Sequence, residues 1–222
     1  MGIAATPRSA SRPRWTNWAE TVCCRPERIF YPQSRDDLVA IVREARREGK
    51  KVRAVGAGHS WSALAATDDY MVCVSRLRNV AVDTTNPRCP RVTMESGATV
   101  RDVNRELAKH GLALPSNVVL ESVEYGGLIA TGCHGSGWDM PTLSDFVHAM
   151  EVVTATGEVR TFCADTDDPT VMDAARVHLG LFGIIYRMTL NVAPTFRVHQ
   201  VDCRLPMEET IGRIRELVTG HD

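Results

Sequence analysis

Five glycines fall within the twelve residues Gly126-Gly127-Leu128-Ile129-Ala130-Thr131-Gly132-Cys133-His134-Gly135-Ser136-Gly137. Glycine loses more conformational freedom on folding than any other residue, at about 0.5–1 kcal/mol relative to alanine in regular structure. A fold that keeps such a run must gain something from backbone that approaches another group closely. A second run, Gly56-Ala57-Gly58-His59-Ser60-Trp61-Ser62, lies well upstream. Bare backbone N–H groups beside the small hydroxyls of Thr131 and Ser136 and the imidazole of His134 suit an anionic, extended ligand. Two such runs imply a ligand long enough to touch both.

The 222 residues suffice to bury a large core, roughly 70% of the unfolded surface for a chain of this size. A hydrophobic share of 44% with 24% charged residues excludes disordered, collagenous and coiled-coil classes. The 26 basic and 27 acidic residues leave a net charge of −1, too balanced for a protein whose main partner is bulk nucleic acid or an anionic membrane. The 7 cysteines are odd in number and scattered, without a C-x-x-C pair, which favours reduced thiols and a cytoplasmic location. No stretch approaches the ~20 apolar residues of a transmembrane segment. Arg8, Arg12 and Arg14 come without an apolar h-region, so residues 1–14 are expected to be a disordered tail.

Ordered structure is expected from Trp15-Thr16-Asn17-Trp18, since two tryptophans need something to pack against. Ser34 with Asp37 reads as a helix start, and Leu38, Ile41, Val42 and Ala45 follow at helical spacing up to Gly49. Val52–Val55 then reads as a strand feeding the first glycine run, with Met71–Val74 as the next. The prolines of Asn86-Pro87 and Cys89-Pro90 suggest a subdomain boundary, giving units 15–88 and 89–205. In the second unit, Arg91–Met94 predicts a strand, and Thr99 with Asp102 a helix ending at Gly111. Val147–Ala155 and Glu158–Phe162 predict a hairpin, Pro169 opens a helix to about His178, and Ile184–Val192 predicts a strand. Met207–Val218 has helical spacing with one apolar face, expected to begin a truncated substrate domain over 206–222.

Several chemistries compete for these loops. A Rossmann fingerprint needs a third glycine at position 61, where Trp61 stands, and a helix directly afterwards, so classical NAD binding is disfavoured. Gly58-His59-Ser60-Trp61-Ser62 nearly spells a hydrolase elbow, with Ser60 as nucleophile and Asp145 and His148 or His178 as triad partners. His59 could also serve only its own loop. Cys133-His134 lacks a second pair at ligand spacing, so no metal site is expected.

Three segments together resemble the flavin-contact segments of the vanillyl-alcohol oxidase/p-cresol methylhydroxylase superfamily. They are Arg53-Ala54-Val55-Gly56-Ala57-Gly58-His59-Ser60, the run Gly126–Gly137, and Leu179-Gly180-Leu181-Phe182-Gly183-Ile184-Ile185. With Asn17-Trp18-Ala19, they are most similar to its sugar-lactone oxidase branch, which includes L-gulonolactone, D-arabinono-1,4-lactone and alditol oxidases. The resemblance implies an α+β FAD-binding fold of two subdomains. It assigns Val55, Gly56, Ala57, Gly58, His59, Ser60 and Trp61 to the pyrophosphate loop, with His59 as the position that often carries FAD covalently. It places Gly126, Gly127, Ala130, Thr131, Gly132, His134, Gly135 and Ser136 along flavin and phosphates. Gly183, Ile184 and Ile185 fall at the adenine end, and Pro115 and Ser116 near the ring.

The implied reaction is oxidation of a CH–OH group of a sugar lactone or alditol by hydride transfer to flavin, with oxygen or a redox partner as acceptor. No catalytic residue is assigned, because the family's substrate contacts lie in a further domain; a second chain supplying that domain, or a non-catalytic flavodomain, are the alternatives. Two positions depart from the pattern. Glu124-Tyr125 stands where the family usually has a small polar residue and an aliphatic, so a larger, charged side chain is expected near the pyrophosphate, and Cys133 replaces the usual Thr or Ala.

Overall fold

The computed structural model describes residues 3–6 and 12–220. Its first unit comprises β1 (Ala4–Ala5), β2 (Trp15–Thr16), β3 (Cys23–Cys24), β4 (Arg28–Tyr31), α1 (Arg35–Arg47), β5 (Val52–Val55) and β6 (Tyr70–Cys73). α1 starts where Ser34 accepts a hydrogen bond from the Asp37 N–H, which satisfies one of the orphan donors of the first turn. Its Leu38, Ile41, Val42 and Ala45 are buried against Phe30, Tyr70, Val72, Val74 and Leu77. The sheet beneath runs in the order β1-β4-β6-β5, with β4 and β5 both parallel to β6. Such parallel pairs need a crossover, and α1 supplies the one between β4 and β5.

β1 corrects the expected tail: Ala4 and Ala5 pair antiparallel with Tyr31 and Phe30, because β4 would otherwise expose its unpaired edge. The rest of residues 1–2 and 7–11 lies outside the described residues.

The second unit comprises β7 (Val80–Asp83), β8 (Arg91–Glu95), α2 (Val100–Ala108), β9 (Leu112–Ala113), α3 (Tyr125–Ala130), β10 (Val147–Val153), β11 (Val159–Cys163), α4 (Pro169–Arg176), β12 (Ile184–Asn191), β13 (Ala193–Pro194) and α5 (Met207–Thr219). β11-β10-β12-β8-β7 form one antiparallel sheet. α2 opens on a full capping box between Thr99 and Asp102. Asp168 caps α4, with Pro169 in its first turn, where a missing N–H costs nothing. Val103 and Leu107 of α2, Leu128 and Ile129 of α3 and Met172 of α4 pack on Met94, Met150, Val152, Met188 and Leu190 of the sheet.

Two further expectations are corrected here. The prolines at 87 and 90 do not divide subdomains: β7 pairs antiparallel with β8, so both belong to a hairpin turn, tightened where Asp83 accepts from the Thr85 N–H and Asn86 from the Arg88 N–H. The start of the long glycine run is also not a loop, since Gly126 and Gly127 lie in α3. Gly126 permits this helix because its N–H donates to the Ser96 carbonyl, and a Cβ there would lie 2.8 Å from the Ser96 Cβ.

The two units share an apolar seam. Val153 of β10 and Ile184 of β12 belong to the same buried cluster as α1. No helix among the described residues is long and apolar enough to cross a membrane.

Candidate FAD site

A cavity of about 640 Å³ opens between the units, within the size range of cofactor sites. The loop after β5 forms one wall, α3 a second, and the segment 178–185 before and into β12 a third. Val55, Gly56, Ala57, Gly58, His59, Ser60, Trp61, Gly126, Gly127, Ala130, Thr131, Gly183, Ile184 and Ile185 all line it. Segments far apart in sequence thus meet around one space, as a long ligand requires.

The first loop is held from outside by the N-terminal hairpin. Asn17, 3% exposed, donates from its side-chain amide to the Ser60 carbonyl at 3.1 Å and accepts from the Val22 N–H at 2.9 Å. The Trp18 N–H donates to the Gly58 carbonyl at 2.9 Å, and the Trp18 ring stacks on His59 with centroids 4.8 Å apart. Gly58 sits at φ +70°, with Trp15 directly against it. Trp15 itself packs on Val55 and Met71. The Asn17-Trp18 pair is therefore part of the site's frame, a role that packing rules alone did not reveal.

In the third wall, Gly183 has φ +132°, and a Cβ there would lie 2.1 Å from the Val153 carbonyl. That approach brings the β12 backbone to the cavity edge. His178 is 4% exposed; its Nδ1 accepts from the Gly180 N–H at 2.9 Å, while its buried Nε2 has no hydrogen-bond partner. Burial holds its pKa below the usual histidine value, so the ring is neutral at pH 7. The buried Ser96 hydroxyl is likewise unpartnered. Both residues belong to the cavity wall, with these two atoms buried beneath its surface.

Other expected site residues lie elsewhere. Pro115, Ser116, Gly132, His134, Gly135 and Ser136 are not in the cavity wall. The turn after α3 instead packs on the 115–117 segment, where a Cβ on Gly135 would lie 2.3 Å from the Ser116 hydroxyl, so this glycine serves loop packing. His134 is exposed, its Nδ1 2.8 Å from the Gly135 carbonyl. The wall also contains residues that no motif marked, among them Ser96, Glu124, Val153 and Thr154. Only Glu124 carried a signal, as a charged residue just before the glycine pair.

The hydrolase triad is not assembled. Asp145 accepts from the backbone N–H and hydroxyl of Thr142, and His148 faces Cys163, on the sheet's edge strand, and Asp165 in the turn after it. No hydrogen bond joins the Ser60 hydroxyl to a histidine among the described residues, so nothing there would activate it.

Two units of helix and sheet clasping a cavity walled by a glycine loop, a helix with a glycine pair in its first turn and a strand entered through glycine define a dinucleotide-holding flavoprotein domain. The chain belongs to the FAD binding domain family, whose model matches residues 26–162. It is 36% identical over 210 residues to L-gulono-1,4-lactone dehydrogenase of Mycobacterium tuberculosis, covering 95% of this chain and 48% of that one. It is 38% identical over 185 residues to D-arabinono-1,4-lactone oxidase of Eremothecium gossypii, covering 82% of this chain and 35% of the relative. Cholesterol oxidase from B. sterolicum superposes with a TM-score of 0.73 at 21% identity, over 86% of this chain and 38% of that one, a likeness of fold. The fold is thus the α+β FAD-binding fold of vanillyl-alcohol oxidase type, and the cofactor is FAD. The chain spans about half the length of the curated relatives it matches.

The residues present fit that cofactor in their backbone donors and glycine clearances. Glu124 is the exception. It is 9% exposed, at the start of α3, and its Oε2 accepts from the Ala57 N–H at 2.5 Å.

Proposed function

We propose that this chain is the FAD-holding part of an oxidoreductase acting on the CH–OH group of a sugar lactone or alditol. The observation that carries the reading is the meeting of three sequence-distant glycine segments on one cavity. When bound, FAD supplies the hydride acceptor for a carbon that bears a hydroxyl. The chain's own part is binding and orientation. The loop from Gly56 to Ser60 offers backbone donors to the pyrophosphate, Gly183 to Ile185 pass the adenine end, and His59, stacked on Trp18, is positioned to carry the covalent link. The names of the relatives support a lactone substrate, with oxygen or a redox partner as acceptor. Substrate-orienting groups would come from a further domain, in the same polypeptide or on a second chain. The seven cysteines, all free of disulfides, support a reducing, cytoplasmic compartment. Purification tests the reading: a yellow protein whose flavin survives acid precipitation is expected. A colourless protein that also ignores added FAD overturns it.

A further inference from the structure

Glu124 occupies the cradle in an unusual way. It stands at the N-cap of α3 but makes no side-chain capping bond to that helix. Its side chain instead lies along the loop, with its carboxylate taking the Ala57 N–H at 2.5 Å and lying 2.7 Å from where a Cβ on Gly56 would be. Gly56 is therefore the residue that makes room for this carboxylate. No cation pairs with it among the described residues. The charged groups that bear on it are Arg78, from the segment after β6, and Asp102, from α2; these two satisfy each other at 2.7 Å. The opposite loop brings backbone and, two residues beyond Ala57, His59, and the far wall brings His178. A nearly buried carboxylate without a counter-ion is held by its own backbone N–H and, across the chain, by one amide of a glycine loop.

An amide between two glycines, on a loop that follows a strand, is a donor that a phosphate oxygen would use. Two anions cannot share it, because each disfavours the charged form of the other. Resting on the FAD reading above, we infer that Glu124 is a resident competitor for the pyrophosphate subsite: FAD binds by displacing its carboxylate from Ala57, and the displaced group takes up one proton from solvent. The ligand recognised is a dinucleotide pyrophosphate, and Glu124 sets how tightly it is held. Burial already pushes the Glu124 carboxyl above the usual carboxylate range, which lowers the cost of that proton.

The test uses the whole chain prepared flavin-free from riboflavin-starved cells, titrated with FAD by quenching of flavin fluorescence. Wild type, Glu124→Gln and Glu124→Thr are compared between about pH 5 and about pH 8, so that any titration outside Glu124 is common to all three proteins. Glu124→Gln is expected to bind FAD roughly tenfold tighter at the alkaline end, a factor equivalent to one pKa unit of coupling. That gain should shrink as the pH falls, and Glu124→Thr should behave alike. Equal affinities with parallel pH profiles would overturn the inference and leave the FAD reading intact. Binding by none of the three overturns both. A second measurement needs no variant: calorimetry of FAD binding to wild type in buffers of different ionisation heat. It should report uptake of close to one proton at the alkaline end, and no uptake overturns the proposal.

Discussion

The Asn17 side chain donates to the Ser60 carbonyl at 3.1 Å, joining the N-terminal hairpin to the loop that faces the cavity. Because Asn17 also accepts from the Val22 N–H and donates to the Thr21 hydroxyl, one buried amide fixes both partners. Replacing Asn17 with alanine removes hydrogen bonds to half-buried backbone groups of Val22 and Ser60, at about 0.5–1.5 kcal/mol each. A lower unfolding midpoint is expected in thermal denaturation, together with weaker FAD binding, since the loop loses its brace. An unchanged FAD affinity in the folded variant would show that the brace serves stability alone.

Gly183 and Gly127 make a contrasting pair. At Gly183 a Cβ would collide with the Val153 carbonyl on a backbone that L residues avoid, whereas at Gly127 nothing lies within 4 Å. Gly183→Ala is expected to destabilise by about 4 kcal/mol or more, in the tail reserved for strain and overpacking. Gly127→Ala, inside α3, should leave stability unchanged or raise it by up to about 1 kcal/mol. Urea unfolding of the two variants in parallel checks the difference.

His178 makes stability depend on pH. Its folded-state pKa is depressed by burial, so the unfolded chain binds a proton first as the solution is acidified. The stability it contributes is complete above the ordinary histidine value of 6.5 and is lost as the pH falls from there through the lower folded-state value. His178→Asn keeps an acceptor for the Gly180 N–H but does not titrate. Denaturation midpoints of the variant should therefore fall less steeply with acid than those of wild type; identical slopes would remove His178 from the account.

The stacked pair Trp18–His59 leads to a chemical prediction. If His59 carries the flavin link, His59→Ala should release all flavin on acid precipitation while retaining reversible FAD binding. Flavin that stays with the precipitated variant would place the attachment elsewhere.

Much of this architecture was legible in the sequence where one local rule sufficed. Ser34 with Asp37, Thr99 with Asp102 and Pro169 each mark a helix start by side-chain chemistry confined to a single turn. β4 and β7 are as short as β5 but have no glycine run after them to mark where a strand ends. α3 escaped notice because its Gly126 answers to Ser96, a tertiary neighbour invisible to local propensity. In the site, the glycine loop and the β12 entry were readable as motifs. Ser96 and Asn17 were not, since a lone serine or asparagine acquires its role only through what the fold sets beside it. Glu124 was visible as a misfit, and only the structure shows which amide it takes.

Val153 and Ile184 belong to the second sheet yet lie in the cluster built on α1. The boundary between the units is therefore oil-filled, and parting them would wet side chains from both at once. Parting the units there would expose Val153 and Ile184 along with the α1 face they cover. For the same reason the first unit, expressed alone, would lose Val153 and Ile184 from its core, whereas the second keeps the core its own helices form on its sheet.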